Sequence, residues 1–157
     1  MVNTKIDSII SEYLKQSEEI SEETFYSAKL AILDTIGCIF NAANSKDVLD
    51  FALINFETKP SNNPFRRIDN NLSYEKTAWF LTILTRWFDY NDTFLAKEWA
   101  HPSDNFGAIY SFFNVNDDNK FEHFIRSIIQ AYEIQGSLSL GTSLNRKGFD
   151  HVFYVKL

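Results

Sequence analysis

The sequence predicts an all-α fold, and three observations favour it. Apolar residues recur at intervals of three and four along most of the chain, which is the period of an amphipathic helix. Serines stand directly before several of these periodic runs, where they are typical helix N-caps. The chain has 157 residues, 45% of them hydrophobic and 23% charged, which is typical of a folded domain rather than a disordered chain. We therefore expect a single helical domain over residues 1–157.

The first two helices are predicted in the N-terminal third. Ser21 is the expected N-cap of the second helix, and Ile20 and Phe25 have the spacing of a hydrophobic staple around it. The first helix is indicated by apolar residues at helical spacing, namely Ile6, Ile9, Ile10, Tyr13 and Leu14.

The second helix has apolar residues on several faces, among them Leu30, Leu33 and Phe40. A helix that is apolar all round is usually buried, so we expect it to be central and largely buried. Gly37 interrupts it at a cost of about 1 kcal/mol relative to Ala, which close helix packing would explain. The chain's one cysteine, Cys38, excludes an intramolecular disulfide and is expected to fill the core.

Further helices follow with polar segments between them. One is predicted over 45–56, and a loop with Pro60 and Pro64 over 57–71. Ser73 is expected to cap the next helix, another restarts at Pro102 or Ser103, and a turn over 114–119 precedes a long helix that ends near residue 136 or 141. Residues 151–157 fit a strand by composition or the start of a helix, and their period cannot decide between the two.

Composition excludes several classes of function. The net charge of −6 and the pI near 5.0 argue against nucleic-acid binding, which needs a basic face. Apolar runs are too short to cross a bilayer. The N-terminal residues lack the layout of a signal peptide, so we expect a cytoplasmic protein. A small anionic substrate stays compatible with the charge, because local basic groups and helix N-termini can bind one.

Candidate chemistry is concentrated in a first polar segment, residues 89–104, between two apolar helices. A long polar loop in a compact domain is more often functional than decorative. His101 is the natural proton-transfer group, Asp89 is expected to orient it or act as a second acid–base group, and Thr93 to donate to a substrate oxygen. Ser103 and the N–H groups behind Pro102 lie at a helix start that suits a carboxylate. The alternative is that these residues are helix caps and solvated loop groups.

A metal site in this segment has little support. Asp89, Asp92 and His101 offer suitable ligand atoms, but no recognised metal-binding spacing accompanies them. We therefore expect neither a metal nor a cofactor.

A second polar segment, residues 141–150, leads into the C-terminal residues. Arg146 and Lys147 lie close to His151 there, and basic side chains of this kind can bind a polycarboxylate. A solvated turn before the last element is an equally good interpretation of this stretch.

Longer stretches of the sequence resemble a known family. The string RWFDYNDTFLAKEWAHPSDNFGAI from Arg86 resembles the signature of the 2-methylcitrate dehydratases of the MmgE/PrpD family. LDTIGCIFNAA from Leu33, AYEIQGSLSL from Ala131 and SLNRKGFDHVFYVKL from Ser143 are similar to other blocks of that family, in the same order. The resemblance runs from about residue 28 to residue 157.

The resemblance implies a fold, a reaction and a set of residues. The family combines an all-helical domain with a smaller α+β domain, needs no iron–sulfur cluster and is typically dimeric; its dehydratases convert 2-methylcitrate to 2-methyl-cis-aconitate in propionate breakdown. By position, Asp89, Thr93 and His101 match its active-site motif and His151 its second active-site histidine. His101 and His151 are then the acid–base pair, converging on one pocket with their roles open.

The resemblance also has departures. Gly141 and Thr142 replace a typical Glu-Asn pair, and the family's second domain has no counterpart here. We therefore expect a truncated enzyme that is incomplete on its own and that forms a homodimer or associates with the missing C-terminal part. A non-catalytic helical interaction module and a related cis-aconitate decarboxylase are the alternatives.

Overall fold

Helices dominate the computed structural model, which describes residues 5–16, 19–48, 50–51, 72–113 and 120–149. An all-helical fold is confirmed: the only sheet in these ranges joins two strands of two residues each. Residues 46–48 and 50–51 are also helical. The main elements in chain order are α1 (Lys5–Tyr13), α2 (Glu22–Ala43), α3 (Tyr74–Arg86), β1 (Phe94–Leu95), β2 (Trp99–Ala100), α4 (Phe106–Ser111) and α5 (Lys120–Gly141).

Both predicted serine caps are confirmed. Ser21 precedes α2 and its hydroxyl accepts a hydrogen bond from the Thr24 N–H at 3.1 Å. Ser73 precedes α3 and accepts from the Lys76 N–H at 3.4 Å. Each cap satisfies one of the N–H groups that a helix start leaves without an intrahelical partner.

The core lies where α2, α3, α4 and α5 meet. Each helix contributes one apolar face at helical spacing, so the buried side chains meet on the inside. The largest of them, each at most 2% exposed, are Ile39, Phe80, Leu81, Leu84, Phe106 and Ile125.

The prediction that α2 is largely buried is wrong. The helix buries one face, with Ile39 and Ala42 at 0% exposure, whereas Leu30 and Leu33 are 50% and 66% exposed. The reason is that α3 and α5 pack against one side of α2. The proposed close packing at Gly37 is also wrong, since a Cβ built there meets nothing within 4 Å.

Close helix packing occurs instead at Gly107 in α4. A Cβ at this position lies 2.6 Å from the main-chain oxygen of Ala78 and 2.7 Å from Oγ1 of Thr82 in α3. Only glycine allows the backbones of α3 and α4 to approach this closely. The contact matters for the site because α4 directly follows the turn that carries His101.

The polar segment after α3 forms a short antiparallel hairpin, in which Phe94 is opposite Ala100 and Leu95 opposite Trp99. A 3₁₀ turn over Pro102–Asn105 then leads into α4, as the predicted helix restart required. After α5, a second 3₁₀ turn covers Asn145–Lys147. The predictions for 57–71, 114–119 and 151–157 lie outside the described residues.

Within the described part of the chain, no helix has both the length and the apolarity that a membrane span requires.

Candidate active site

The imidazole of His101 is oriented by a hydrogen bond to another residue of the first polar segment. His101 precedes the 3₁₀ turn and is 9% exposed. Its Nδ1 lies 2.7 Å from the main-chain oxygen of Asp92. A carbonyl oxygen can only accept, so Nδ1 carries the hydrogen and Nε2 carries the lone pair in the neutral ring. This arrangement makes Nε2 the atom able to take a proton.

Asp92 also holds the turn that follows His101. Its carboxylate oxygens accept the Ser103 N–H at 3.1 and 3.4 Å. The start of the turn was expected to offer this N–H to a substrate carboxylate, and in the structure a carboxylate of the chain itself binds it. Asp92 thus holds the imidazole of His101 by its carbonyl oxygen and the turn after His101 by its side chain.

Asp89 stands at the surface end of the segment. Its side chain is 72% exposed, and Oδ1 pairs with the Arg86 guanidinium at 2.8 Å. Its backbone has a φ of 55°, in the left-handed region that residues other than glycine seldom adopt. The orienting role expected for Asp89 stays a prediction, because the contact to the imidazole given above comes from Asp92.

Behind the surface lies a buried polar cluster. Asn91 donates from Nδ2 to Ser103 Oγ at 2.8 Å and to Asp104 Oδ1 at 3.1 Å, and it accepts from Arg86 at 3.3 Å. Asp104 is 4% exposed. Burial raises its pKa to about 7, against the opposing effect of the Arg86 charge. The cluster ties the end of α3 to the turn behind His101.

Glu98 joins the two polar segments. Its carboxylate accepts the Asn145 N–H and the Asn145 Nδ2 group, each at 2.8 Å, and the Ser143 hydroxyl at 3.2 Å. These bonds to the ionised form, the Asn145 N–H first, lower the pKa of Glu98. Because the side chain is only 2% exposed, Glu98 is a structural clamp between the segments.

α5 turns a polar face toward the hairpin. Gln135 accepts from Asn105 Nδ2 at 2.8 Å, and the main-chain oxygen of Ser139 accepts from the Glu98 N–H at 3.2 Å. The Phe94 ring lies over Gly136, 3.2 Å from where a Cβ would be. Within the described ranges, the buried side-chain polar atoms that lack a hydrogen-bond partner all lie on this helix: Tyr132 Oη, Gln135 Nε2 and Ser139 Oγ.

The structure brings some predicted site residues together and leaves others apart or untested. Asp89, His101 and Ser103 share one segment and one hydrogen-bonded cluster with Arg86. Thr93 is exposed on the same segment. The other basic candidates, Arg146 and Lys147, are exposed on the second turn. His151 lies outside the described residues, so its expected convergence with His101 stays a prediction.

Across the described ranges, no group of three or more His, Cys, Asp or Glu side chains is arranged to hold a metal ion. Cys38 is buried, as expected of a core residue, and burial raises the pKa of its thiol.

Sequence reasoning missed three residues that build the site. Asn91 and Arg86 were not singled out, and Asp92 was considered as a metal ligand, a helix cap or a solvated carboxylate, but not as the residue that holds His101. A signal for Arg86 and Asn91 exists in the sequence, since an arginine in the last turn of a helix, five residues before an asparagine, can reach across the helix end. No sequence pattern indicates that the carbonyl oxygen of Asp92 faces His101.

The residues that build this site lie inside a known family pattern. The MmgE/PrpD N-terminal domain matches residues 10–157, which include every element of the site.

The chain belongs to the MmgE/PrpD family.

Relatives with curated names agree with this family. The chain is 32% identical over 98% of its length to a probable 2-methylcitrate dehydratase of Saccharomyces cerevisiae. It is 31% identical over 94% of its length to 2-methylcitrate dehydratase of Escherichia coli, and 32% over 94% to alkylcitrate dehydratase phiI of a fungal species. It spans 32–33% of the length of these relatives.

Proposed function

We propose that the chain forms the N-terminal, helical part of an alkylcitrate dehydratase, a hydro-lyase whose substrate is 2-methylcitrate. The orientation of His101 is the observation that carries this proposal, because Nδ1 donates to the Asp92 carbonyl oxygen at 2.7 Å and Nε2 therefore carries the lone pair of the neutral ring. The names of the relatives supply the substrate class, and the reaction requires a base of this kind.

The elimination needs two proton-handling groups. A base removes a proton from the carbon next to a carboxylate, and an acid protonates the hydroxyl group that leaves the adjacent carbon as water. His101 is one member of this pair and His151 the other in our proposal. Asp89 and Thr93, both exposed on the segment that contains His101, contact the substrate or orient the histidine, and Arg146 and Lys147 bind its carboxylates. Ser103, which the sequence predicted as a further carboxylate ligand, is buried and already bonded to Asp92 and Asn91, so we give it no direct contact with the substrate.

We further propose that the chain acts together with another polypeptide surface, either a second copy or the C-terminal part of the enzyme. The exposed apolar side chains of Leu30 and Leu33 on α2 support such an association. The single cysteine, buried in the core, suits a reducing compartment such as the cytoplasm.

The test joins the full 157-residue chain to the C-terminal remainder of the E. coli relative. Turnover of 2-methylcitrate is followed by the absorbance of the conjugated product, with carbon dioxide release measured in parallel. We expect dehydration without carbon dioxide release. Release of carbon dioxide would instead favour the related decarboxylase.

The histidine variants then separate an enzyme from a binding module. His101→Ala in the joined protein should lower kcat by about 10²- to 10⁴-fold, the usual contribution of general acid–base catalysis. His123→Ala, on the exposed side of α5, should leave kcat unchanged. A folded joined protein without turnover, beside an active E. coli enzyme, would contradict the proposal and favour a non-catalytic module.

A further inference from the structure

Asp89 occupies an unfavourable position at the end of α3. Its N–H bonds to the Arg86 main-chain oxygen at 3.0 Å, and its φ is 55°. A left-handed backbone is unfavourable for most residues other than glycine, although aspartate tolerates it better than most. In addition, a carboxylate next to a helix C-terminus faces the negative end of the helix dipole. Something in the fold has to offset both costs.

Arg86 provides the compensating charge through three separate contacts. Its guanidinium pairs with Asp89 Oδ1 at 2.8 Å, donates to Asn91 Oδ1 at 3.3 Å and lies 3.8 Å from Asp104 Oδ1. A planar guanidinium carries several donors in a fixed fork, so contacts on different sides restrict where each nitrogen can point. Lysine has a point charge and no such fork.

The contacts of Arg86 run from the protein interior to the surface. The side chain of Asp104 is 2% exposed, that of Arg86 is 25% exposed, and that of Asp89 is 72% exposed. Asn91 contacts both Asp104 and Arg86, and it also donates to Ser103 in the turn behind His101. The guanidinium therefore bridges a buried carboxylate and an exposed one.

We propose that Arg86 is a positioning residue, which holds the Asp89 carboxylate in register with the His101 turn and is itself held by Asp104 and Asn91. This inference rests on the proposed function, because it takes Asp89 as an active-site residue. Arg86 does not need to touch the substrate for this role. Its effect on turnover passes through Asp89.

The experiment uses the joined protein described above and measures kcat and KM separately. Arg86→Gln should lower kcat by about 10²-fold, a loss typical of misplaced catalytic groups, and Asp104→Asn should lower it less. Arg86→Lys keeps the charge without the fork and should recover part of the loss. The control is Arg126→Gln, which removes an exposed pair with Glu122 at 2.9 Å on α5 and should leave kcat unchanged.

A double-mutant cycle distinguishes positioning from general stability. If Arg86 acts through Asp89, adding Arg86→Gln to Asp89→Asn should cost less than a further twofold in kcat. Additive losses, or a kcat unchanged by Arg86→Gln and Arg86→Lys, would overturn the inference and leave the proposed function standing. No turnover by the folded, unsubstituted joined protein would overturn the proposed function, and the inference with it.

Discussion

The carboxyl group of Asp104 lies where water hardly reaches it, with a side chain 2% exposed. Burial is the main reason that its pKa rises from 3.8 to about 7, and Asp92 and Asp89 add to the rise while Arg86 and Asn91 oppose it. The group therefore changes charge near neutral pH. Its ionisation affects the cluster that joins α3 to the His101 turn.

A pH dependence of stability follows from this shift. Between pH 4 and 7 the folded chain holds a proton on Asp104 that the unfolded chain has released, so the free energy of unfolding falls as pH rises through this range. The loss from this group is on the order of 4 kcal/mol at most, since one pKa unit is about 1.4 kcal/mol. Asp104→Asn should remove this slope in urea unfolding measured from pH 4.5 to 8.

The control for this titration is an exposed aspartate. Asp50→Asn removes a carboxylate whose side chain is 57% exposed in a pair with Lys46 at 3.5 Å. The slope of stability against pH should then stay as it is in the unsubstituted protein. Equal slopes for Asp104→Asn and the unsubstituted chain would contradict the assignment.

Glu98 changes the stability with pH in the direction opposite to Asp104, because its pKa is lowered. Its stabilising effect is complete above pH 4.5 and is lost as pH falls through the lowered value.

Glu98→Gln replaces one acceptor oxygen with a donor facing Asn145 and Ser143. We expect amide hydrogen exchange over 143–147 to rise by at least about tenfold while exchange in α3 changes little. The matched control is Glu122→Gln, which changes a carboxylate on the exposed side of α5. Unchanged exchange over 143–147 in Glu98→Gln would show that Glu98 is not the clamp.

At the scale of elements, two glycines make a matched pair. Gly107→Ala places a methyl group 2.6 Å from the Ala78 oxygen, and such overpacking costs about 1–3 kcal/mol. Gly37→Ala adds a methyl group that meets nothing within 4 Å. At this position within α2, Ala is favoured over Gly by up to about 1 kcal/mol. Chemical unfolding should show the first variant less stable and the second more stable than the parent. A stabilised Gly107→Ala would mean that α3 and α4 do not pack this closely.

The same two glycines show what the sequence could predict about the elements. Capping serines and apolar periodicity are local signals, so α2, α3 and α5 were predictable from the sequence. Ser21 and Ser73 were correctly predicted as the caps of α2 and α3. Which glycine lies at a helix contact depends on the partner helix, and the local pattern of Gly37 contains no information about that. For this reason the close contact was assigned to α2 instead of α4.

The candidate site was predictable in part for the same reason. A polar segment between apolar helices, with His101 inside it, is a sequence-local feature. The contacts that hold it together cannot be recognised from the residue types of one segment. The main-chain oxygen of Asp92 contacts His101, and the carboxylate of Glu98 contacts Asn145, 47 residues away. Sequence spacing alone does not specify either.

At the scale of the whole molecule, apolar surface is unevenly distributed over α2. Its inner face meets α3 and α5, whereas Tyr26, Leu30 and Leu33 are each at least 50% exposed. Surface apolar groups contribute little to the stability of the folded chain, but a contiguous set of them favours association. Stability and association should therefore depend on different faces of one helix bundle.

Two leucines of similar size test this separation. Leu33, 66% exposed, and Leu81, 0% exposed, differ mainly in what surrounds them. Leu33→Gln should change the free energy of unfolding by no more than about 0.5 kcal/mol and should reduce self-association in sedimentation velocity. Leu81→Ala should cost about 2–5 kcal/mol without reducing association of the folded fraction. A large loss of stability from Leu33→Gln would mean that the outer face of α2 is covered within the chain itself.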